Sequence, residues 1–244
     1  STHWKDNMLY LSRLYLDNTS RHVRSDLGNC HGLHKTILSA FSQSPSGMPA
    51  RDHFGVLFRT EAMNDHPGIT RLLIQSNATP DWTHLPDWYI SDASEGQQPI
   101  TLRPLDADYG RIGVGMRFLF RLRVNPTKRI SDRTPGRDDP LVGKRVDLLR
   151  EEDQIAWLHR KSEQHGFRLL KTDIDSEITD VQTAKGEKTY GRKRRGDARM
   201  TFGGVLFNGR LEVTNQEMFL TALHDGIGSG KAFGFGLLSI AEIG

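Results

Sequence analysis

Cys30, His31 and His34 stand together in the first fifth of the chain. His31 and His34 are three residues apart, so on a helix they share a face. Histidine changes charge near neutrality, which suits such a pair to moving protons on and off a reacting oxygen. Lys35 follows directly and could steady negative charge on a phosphate. The plainer reading is two polar residues at a helix start, and the residues alone leave both open. A zinc site is disfavoured, because the chain has 1 Cys and no second Cys/His pair at finger spacing. A Cys30–His34 thiol nucleophile lacks any protease-like signature around it.

A second candidate is residues 226–236, Gly-Ile-Gly-Ser-Gly-Lys-Ala-Phe-Gly-Phe-Gly. Such glycine density lets backbone N–H groups approach a neighbour closely, and phosphate is a natural one, with Gly228, Gly230 and Lys231 at its centre. It imitates a nucleotide-binding P-loop but fails the pattern, which requires Gly where Asp225 stands and Ser or Thr where Ala232 stands. A nucleotide cofactor is therefore not expected. The competing reading is a tight turn packed against a neighbouring helix. A third candidate is basic clustering. Arg117, Arg121, Arg123, Lys128 and Arg129 occur with no acidic residue among them, and Arg192, Lys193, Arg194 and Arg195 form a second run. A charge run is usually a solvated loop. Two runs in a chain of net charge +3 point toward a directed anionic partner, with nucleic acid first. Tyr190 beside the second run could stack on a base or be an ordinary loop aromatic.

These side chains need elements to position them. Residues 8–16 alternate apolar and polar and predict a strand. Leu33, Ile37, Leu38 and Phe41 form one helical stripe over 31–41, which would carry His34. Strands are expected at 54–60 and 69–76, separated by an Asn-Asp-His-Pro-Gly turn signal. Residues 77–113 read as loop with a short helix, and 116–124 as a strand ended by Asn125-Pro126. The second half repeats the theme: a helix over 150–164, a strand at 167–174, a hairpin over 199–213 turning at Asn208-Gly209, a helix over 215–224 and a strand over 233–243. The order predicts an α+β chain of two tandem ferredoxin-like (βαββαβ) domains, spanning 8–129 and 148–244 with 130–147 as linker. Met8 is read as the native start, and residues 1–7 are left outside the fold argument.

Charged residues make up 26% of the chain, an ordinary globular value. One cysteine builds no disulfide framework. No apolar run is long enough to span a membrane, and the first residues lack a signal-peptide core. A soluble cytoplasmic protein without metal or other cofactor is expected.

The residues also carry a family likeness. The opening MLYLSRLYL, the segment leading to Leu33-His34, RFLFRLRVNPTKR at 117–129, EDQIAWLHRK at 152–161, VLFNGRLEV at 205–213 and GIGSGKAFGFGLLSIA at 226–241 occur in order. In this combination the chain resembles the CasE family, the repeat-processing RNA endonuclease of the type I-E CRISPR Cascade complex, from Met8 to about Ile243. The resemblance implies two ferredoxin-like domains, binding of the CRISPR repeat hairpin, and metal-independent cleavage of precursor RNA at the base of the stem. It also implies retention of the product and assembly with other Cascade subunits. The attacking group would be a ribose 2′-OH, leaving 5′-OH and 2′,3′-cyclic phosphate ends. His34 falls on the family's catalytic histidine. Some members carry tyrosine where this chain has His31, so the division of proton transfer between His31 and His34 is open. By the same resemblance, Arg192, Lys193, Arg194 and Arg195 belong to a hairpin loop against the RNA stem. Lys35, Arg123, Lys128, Arg129, Gly228, Gly230 and Lys231 are further RNA-binding candidates. The altered tyrosine position keeps one alternative alive, a hairpin clamp that binds without cutting. A protein-interaction domain with incidental basic loops is the remaining reading, and it predicts no salt-sensitive RNA binding.

Overall fold

The computed structural model describes residues 8–45, 47–92, 97–130, 142–173, 175–186, 189–191 and 200–243. The first unit runs β1 (Tyr10–Asp17), α1 (Arg21–Leu27), α2 (Cys30–Leu38), α3 (Ala50–His53), β2 (Leu57–Ala62), β3 (Ile69–Ser76), β4 (Ile100–Pro104) and α4 (Asp106–Tyr109). Its strands lie in the order β2-β3-β1-β4, all antiparallel. This is the sheet of a ferredoxin-like unit. Inward-facing Leu14, Leu16, Leu72 and Ile74 pack with Leu33 and Ile37 of α2 and with Phe54 and Phe58. That apolar stripe is what fixes the rotation of α2. The stretch 77–113, expected to be loop with a short helix, holds a 3₁₀ turn, Asp87–Tyr89, and the one-turn α4.

The second unit runs β5 (Arg117–Val124), β6 (Thr127–Arg129), β7 (Arg145–Asp147), α5 (Glu151–Gln164), β8 (Phe167–Leu169), β9 (Val181–Lys185), β10 (Thr189–Gly191), β11 (Met200–Phe202), β12 (Val205–Val213), α6 (Gln216–Asp225) and β13 (Leu238–Glu242). Its main sheet has the order β13-β5-β12-β8, with β9 also pairing β12. The core gathers Phe118, Phe120 and Leu122 of β5 with Phe207 and Leu211 of β12, Leu158 of α5, and Phe219 and Leu223 of α6.

Several expectations are corrected. The strand at 117–124 pairs with β12 and β13, so it opens the second unit rather than closing a first domain that extends to 129. The fourth strand of the first sheet is β4, within the stretch expected to be loop. Residues 145–147 pair with 127–129, so the segment expected to be a linker contributes a hairpin inside the second unit; residues 131–141 lie outside the described residues. Finally, Asn208-Gly209 is not a turn. β12 passes straight through it between β5 on one side and β8 and β9 on the other. Glycine is needed there for space, since a Cβ on Gly209 would stand 2.4 Å from the Asp180 carbonyl oxygen.

Two buried side chains fasten the units together. Arg59 of β2 is 2% exposed. It ion-pairs with Glu61 at 2.8 Å and donates to the Leu237 carbonyl at 3.0 Å, the Arg121 carbonyl at 3.3 Å and Ser239 Oγ at 3.0 Å. Gln75 of β3 donates from Nε2 to the Leu223 carbonyl at 2.8 Å. Each crosses from the first sheet to the second unit. Burying a guanidinium is tolerated because it is paired and bonded at several of its N–H groups. Among the described residues no helix is long and apolar enough to cross a membrane.

Candidate active site

His34 owes its position to α2. Asn29 caps the helix, its Oδ1 accepting from the His31 backbone N–H at 3.3 Å. Leu33 and Ile37 are buried in the first core, and His31 and His34 rise half-buried on the neighbouring face, one turn apart. A polar anchor holds the other side. Asp26 of α1 accepts from Thr36 Oγ1 at 2.7 Å and from the Tyr89 hydroxyl at 2.8 Å. A Cβ on Gly32 would lie 2.9 Å from Asp26 Oδ1, so α1 and α2 approach closely where glycine permits it. Burial, with the Asp26 charge beside it, pushes the Tyr89 phenol well above its ordinary pKa, so Tyr89 stays a donor to that carboxylate.

The His34 ring stacks on Phe58 of β2, with centroids 6.1 Å apart and planes 25° from parallel. Its Nδ1 is buried and has no hydrogen-bond partner among the described residues. Burial lowers its pKa to about 4, helped by the positive charges of Arg51 and of His31 when protonated. In the free protein His34 is therefore a neutral imidazole at pH 7. Arg51, on α3, is half-buried and pairs with its neighbour Asp52.

The second unit reaches this helix through the glycine-rich segment. The 3₁₀ turn Lys231–Phe233 packs against α2 and β2, and β10 also touches α2. The closeness is set by missing side chains. Gly234 has φ 82°, and a Cβ there would sit 3.1 Å from Phe58 Cε2, on the ring that carries His34. Burial lowers the Lys231 pKa; Asp225 opposes that shift, and Arg51 adds to it. Two imidazoles on α2 and a partly desolvated cation on the turn packed against that helix thus meet at the junction between the two units, a set of groups able to move protons beside an anion.

The structure gathers some sequence-predicted residues and separates others. His31, His34 and exposed Lys35 share α2, and Gly228, Gly230 and Lys231 lie on the loop that abuts it. Arg123 is largely occupied as framework: it donates to Thr189 Oγ1 at 2.9 Å and lies over the Phe235 ring at 5.1 Å. Even so, its charge reaches Cys30 at the start of α2. Arg129 lines a cleft beside the glycine-rich loop, whereas Lys128, on the alternate face of β6, does not. Arg192, Lys193, Arg194 and Arg195 lie outside the described residues. Sequence reasoning missed Arg51, a lone cation with no motif spacing to the histidines. It also missed Phe58, whose only signal was its place in a strand.

Comparison with known proteins decides the family. The model of a CRISPR-associated protein family matches residues 9–242. The CRISPR-associated endoribonuclease Cse3 of Thermus thermophilus is 34% identical over 96% of this chain and 100% of its own length. The chain belongs to the CasE family of CRISPR-associated proteins. The Cascade subunit CasE of Escherichia coli K12 is 28% identical over the same shares. The structure of Thermus thermophilus Cse3 bound to an RNA representing a pre-cleavage complex superposes with a TM-score of 0.74 and 32% identity, covering 96% of this chain and 99% of that one. The tandem ferredoxin-like architecture of the CasE family is therefore the architecture found here.

Proposed function

We propose that this protein is the endoribonuclease that binds the CRISPR repeat hairpin and cuts precursor RNA at the base of its stem, then stays on the product as a Cascade subunit. The observation that carries this reading is His34, held on α2 at the junction of the two units, one turn from His31 and within reach of the Arg51 charge, with the turn that Lys231 begins packed on its helix. The relatives supply the substrate class, one being named an endoribonuclease and another a Cascade subunit.

The chemistry needs only RNA and side chains. The 2′-OH next to the scissile phosphate attacks phosphorus, forming the P–O2′ bond as the P–O5′ bond breaks. A base takes the 2′-OH proton, and an acid returns one to the departing 5′-oxygen. The products are a 2′,3′-cyclic phosphate and a 5′-OH. His34 serves chiefly as the acid. Its pKa of about 4 in the free protein reflects burial without an anion. A phosphodiester placed against it favours the charged form and raises that pKa toward the working range. His31, one turn away, takes the partner role, and Lys35 and Lys231 stabilise charge on the phosphoryl oxygens.

The test is cleavage of the host repeat hairpin in excess EDTA by the native protein and by His34→Ala, with binding followed in parallel. The expected result is cleavage to 5′-OH and cyclic-phosphate ends by the native protein, lost in the variant while binding survives. Binding without cleavage by the native protein would reduce the reading to a hairpin clamp.

A further inference from the structure

A cleft of about 700 Å³ opens in the second unit, with Lys231 among the residues that line it. It is lined by Thr127 and Arg129 of β6, Gly143, Arg145 of β7, the C-terminal half of α5 and the glycine-rich loop. Arg129, Arg145, Lys161 and Lys231 project into it with His165 among them. None of these four cations makes an ion pair among the described residues. Arg129 donates to the Gly143 carbonyl at 3.0 Å, and Lys161 bonds Gln164 at 2.8 Å and lies over the Trp157 ring at 5.9 Å. These two are held in position by neutral partners, which leave their charges available to an anion.

We infer that this cleft is a binding subsite for the single-stranded RNA that continues 3′ from the scissile phosphate. The inference rests on the endoribonuclease reading and extends it to substrate outside the stem. Size supports it. The volume is that of a pocket for one small ligand, enough for an unstacked nucleotide or two and too small for a stem with both its strands. Chemistry supports it as well: phosphates attract four cations that pair with no carboxylate among the described residues. The glycine-rich backbone offers bare amides, with Gly228 at φ 83° passing across the Trp157 ring. His165, whose pKa is lowered by burial and by Lys161 and Lys231, is a neutral ring able to hydrogen-bond or stack on a base. Position selects the strand. Lys231 both lines the cleft and begins the turn packed on the helix of His34. The strand contiguous with the scissile phosphate passes that point, whereas the strand entering the other side of the stem lies across a base pair.

The experiment uses hairpin RNAs carrying a 2′-deoxy nucleotide in place of the attacking one, so that binding is read without cleavage. Three are compared by fluorescence anisotropy: a hairpin ending at the scissile phosphate, one with about six more 3′ nucleotides, and one with the same extension on the 5′ side. The 3′ extension is expected to tighten native binding about tenfold and to steepen its salt dependence by roughly 0.7 per phosphate held. The 5′ extension should have little effect. The variant Arg145→Gln/Lys161→Gln should lose most of the gain from the 3′ extension and bind the unextended hairpin within about twofold of native. No gain from the 3′ extension in the native protein, a larger gain from the 5′ extension, or equal losses on extended and unextended hairpins would overturn the inference. Failure to bind any of the three would instead overturn the endoribonuclease reading. The native comparison stands alone should the double variant not fold.

Discussion

Acid should destabilise this protein through His34 by a calculable amount. The ring is partly covered, stacked on Phe58, and has a pKa of about 4; in the unfolded chain it returns to about 6.5. Between these values the unfolded state binds the extra proton, so stability rises with pH there. The contribution is fully present above about pH 6.5 and is lost as pH falls through about 4. Between pH 7 and pH 4.5 the linkage amounts to about 2 kcal/mol, allowing for the partial exposure of the ring. The measurement is urea unfolding of the native protein and of His34→Asn at both pH values. Asparagine carries no titrating group, so the variant should lose about 2 kcal/mol less than the native protein on acidification, whatever its stability at pH 7. Other groups, including His165, whose pKa burial also lowers, act in both proteins and cancel. The same equilibrium reports on function. A bound phosphodiester raises the His34 pKa, so RNA binding should strengthen more on going from pH 7 to pH 5 in the native protein than in the variant. Equal pH dependence of unfolding in the two proteins would refute a buried neutral imidazole and the catalytic argument built on it.

Other perturbations separate positioning from chemistry. Asp26→Asn removes the charged acceptor shared by Thr36 and Tyr89. It should cost about 1.5–3 kcal/mol in denaturant unfolding and slow single-turnover cleavage about tenfold through misplacement of α2, with RNA affinity nearly unchanged. Gly234→Ala forces a Cβ toward Phe58 at a positive φ; it should destabilise by more than about 1 kcal/mol and lower the cleavage rate more than binding. Arg59→Met breaks the buried bridge between units. A loss of about 3 kcal/mol is expected in urea unfolding, the low end for such pairs, because Glu61 keeps Arg71 and Arg121 as partners.

What the sequence revealed of the fold, and what it hid, follows from the range over which each signal acts. Leu14 and Leu16 in β1 and Leu33 and Ile37 in α2 are local patterns, and the elements they predict are present. The assignment of 117–124 failed for a different reason. The strand itself is plain in RFLFRLRV, but its neighbours are chosen by tertiary pairing. The true fourth strand of the first sheet, Ile100–Pro104, is short and exposes Leu102 and Arg103, so the stronger pattern took its place. Asn208-Gly209 carries a hairpin signal that holds only where the flanking strands pair with each other; here they are two halves of one central strand, and the glycine answers to the Asp180 carbonyl.

The site divides in the same way. His34 was legible as a candidate because its residue type and its spacing from His31 are written locally. What makes it chemically distinctive is not local. Its low pKa depends on burial and on Arg51, and its ring lies on Phe58, itself touched by Gly234 from a loop two hundred residues later in the chain. An isolated peptide of residues 29–41 would keep the two histidines and lose that environment, returning His34 to the ordinary range near 6.5. The environment of His34 is thus a property of the junction, closed by Arg59 and Gln75 from one side and the glycine-rich turn from the other, and the proposed proton transfer depends on that closure.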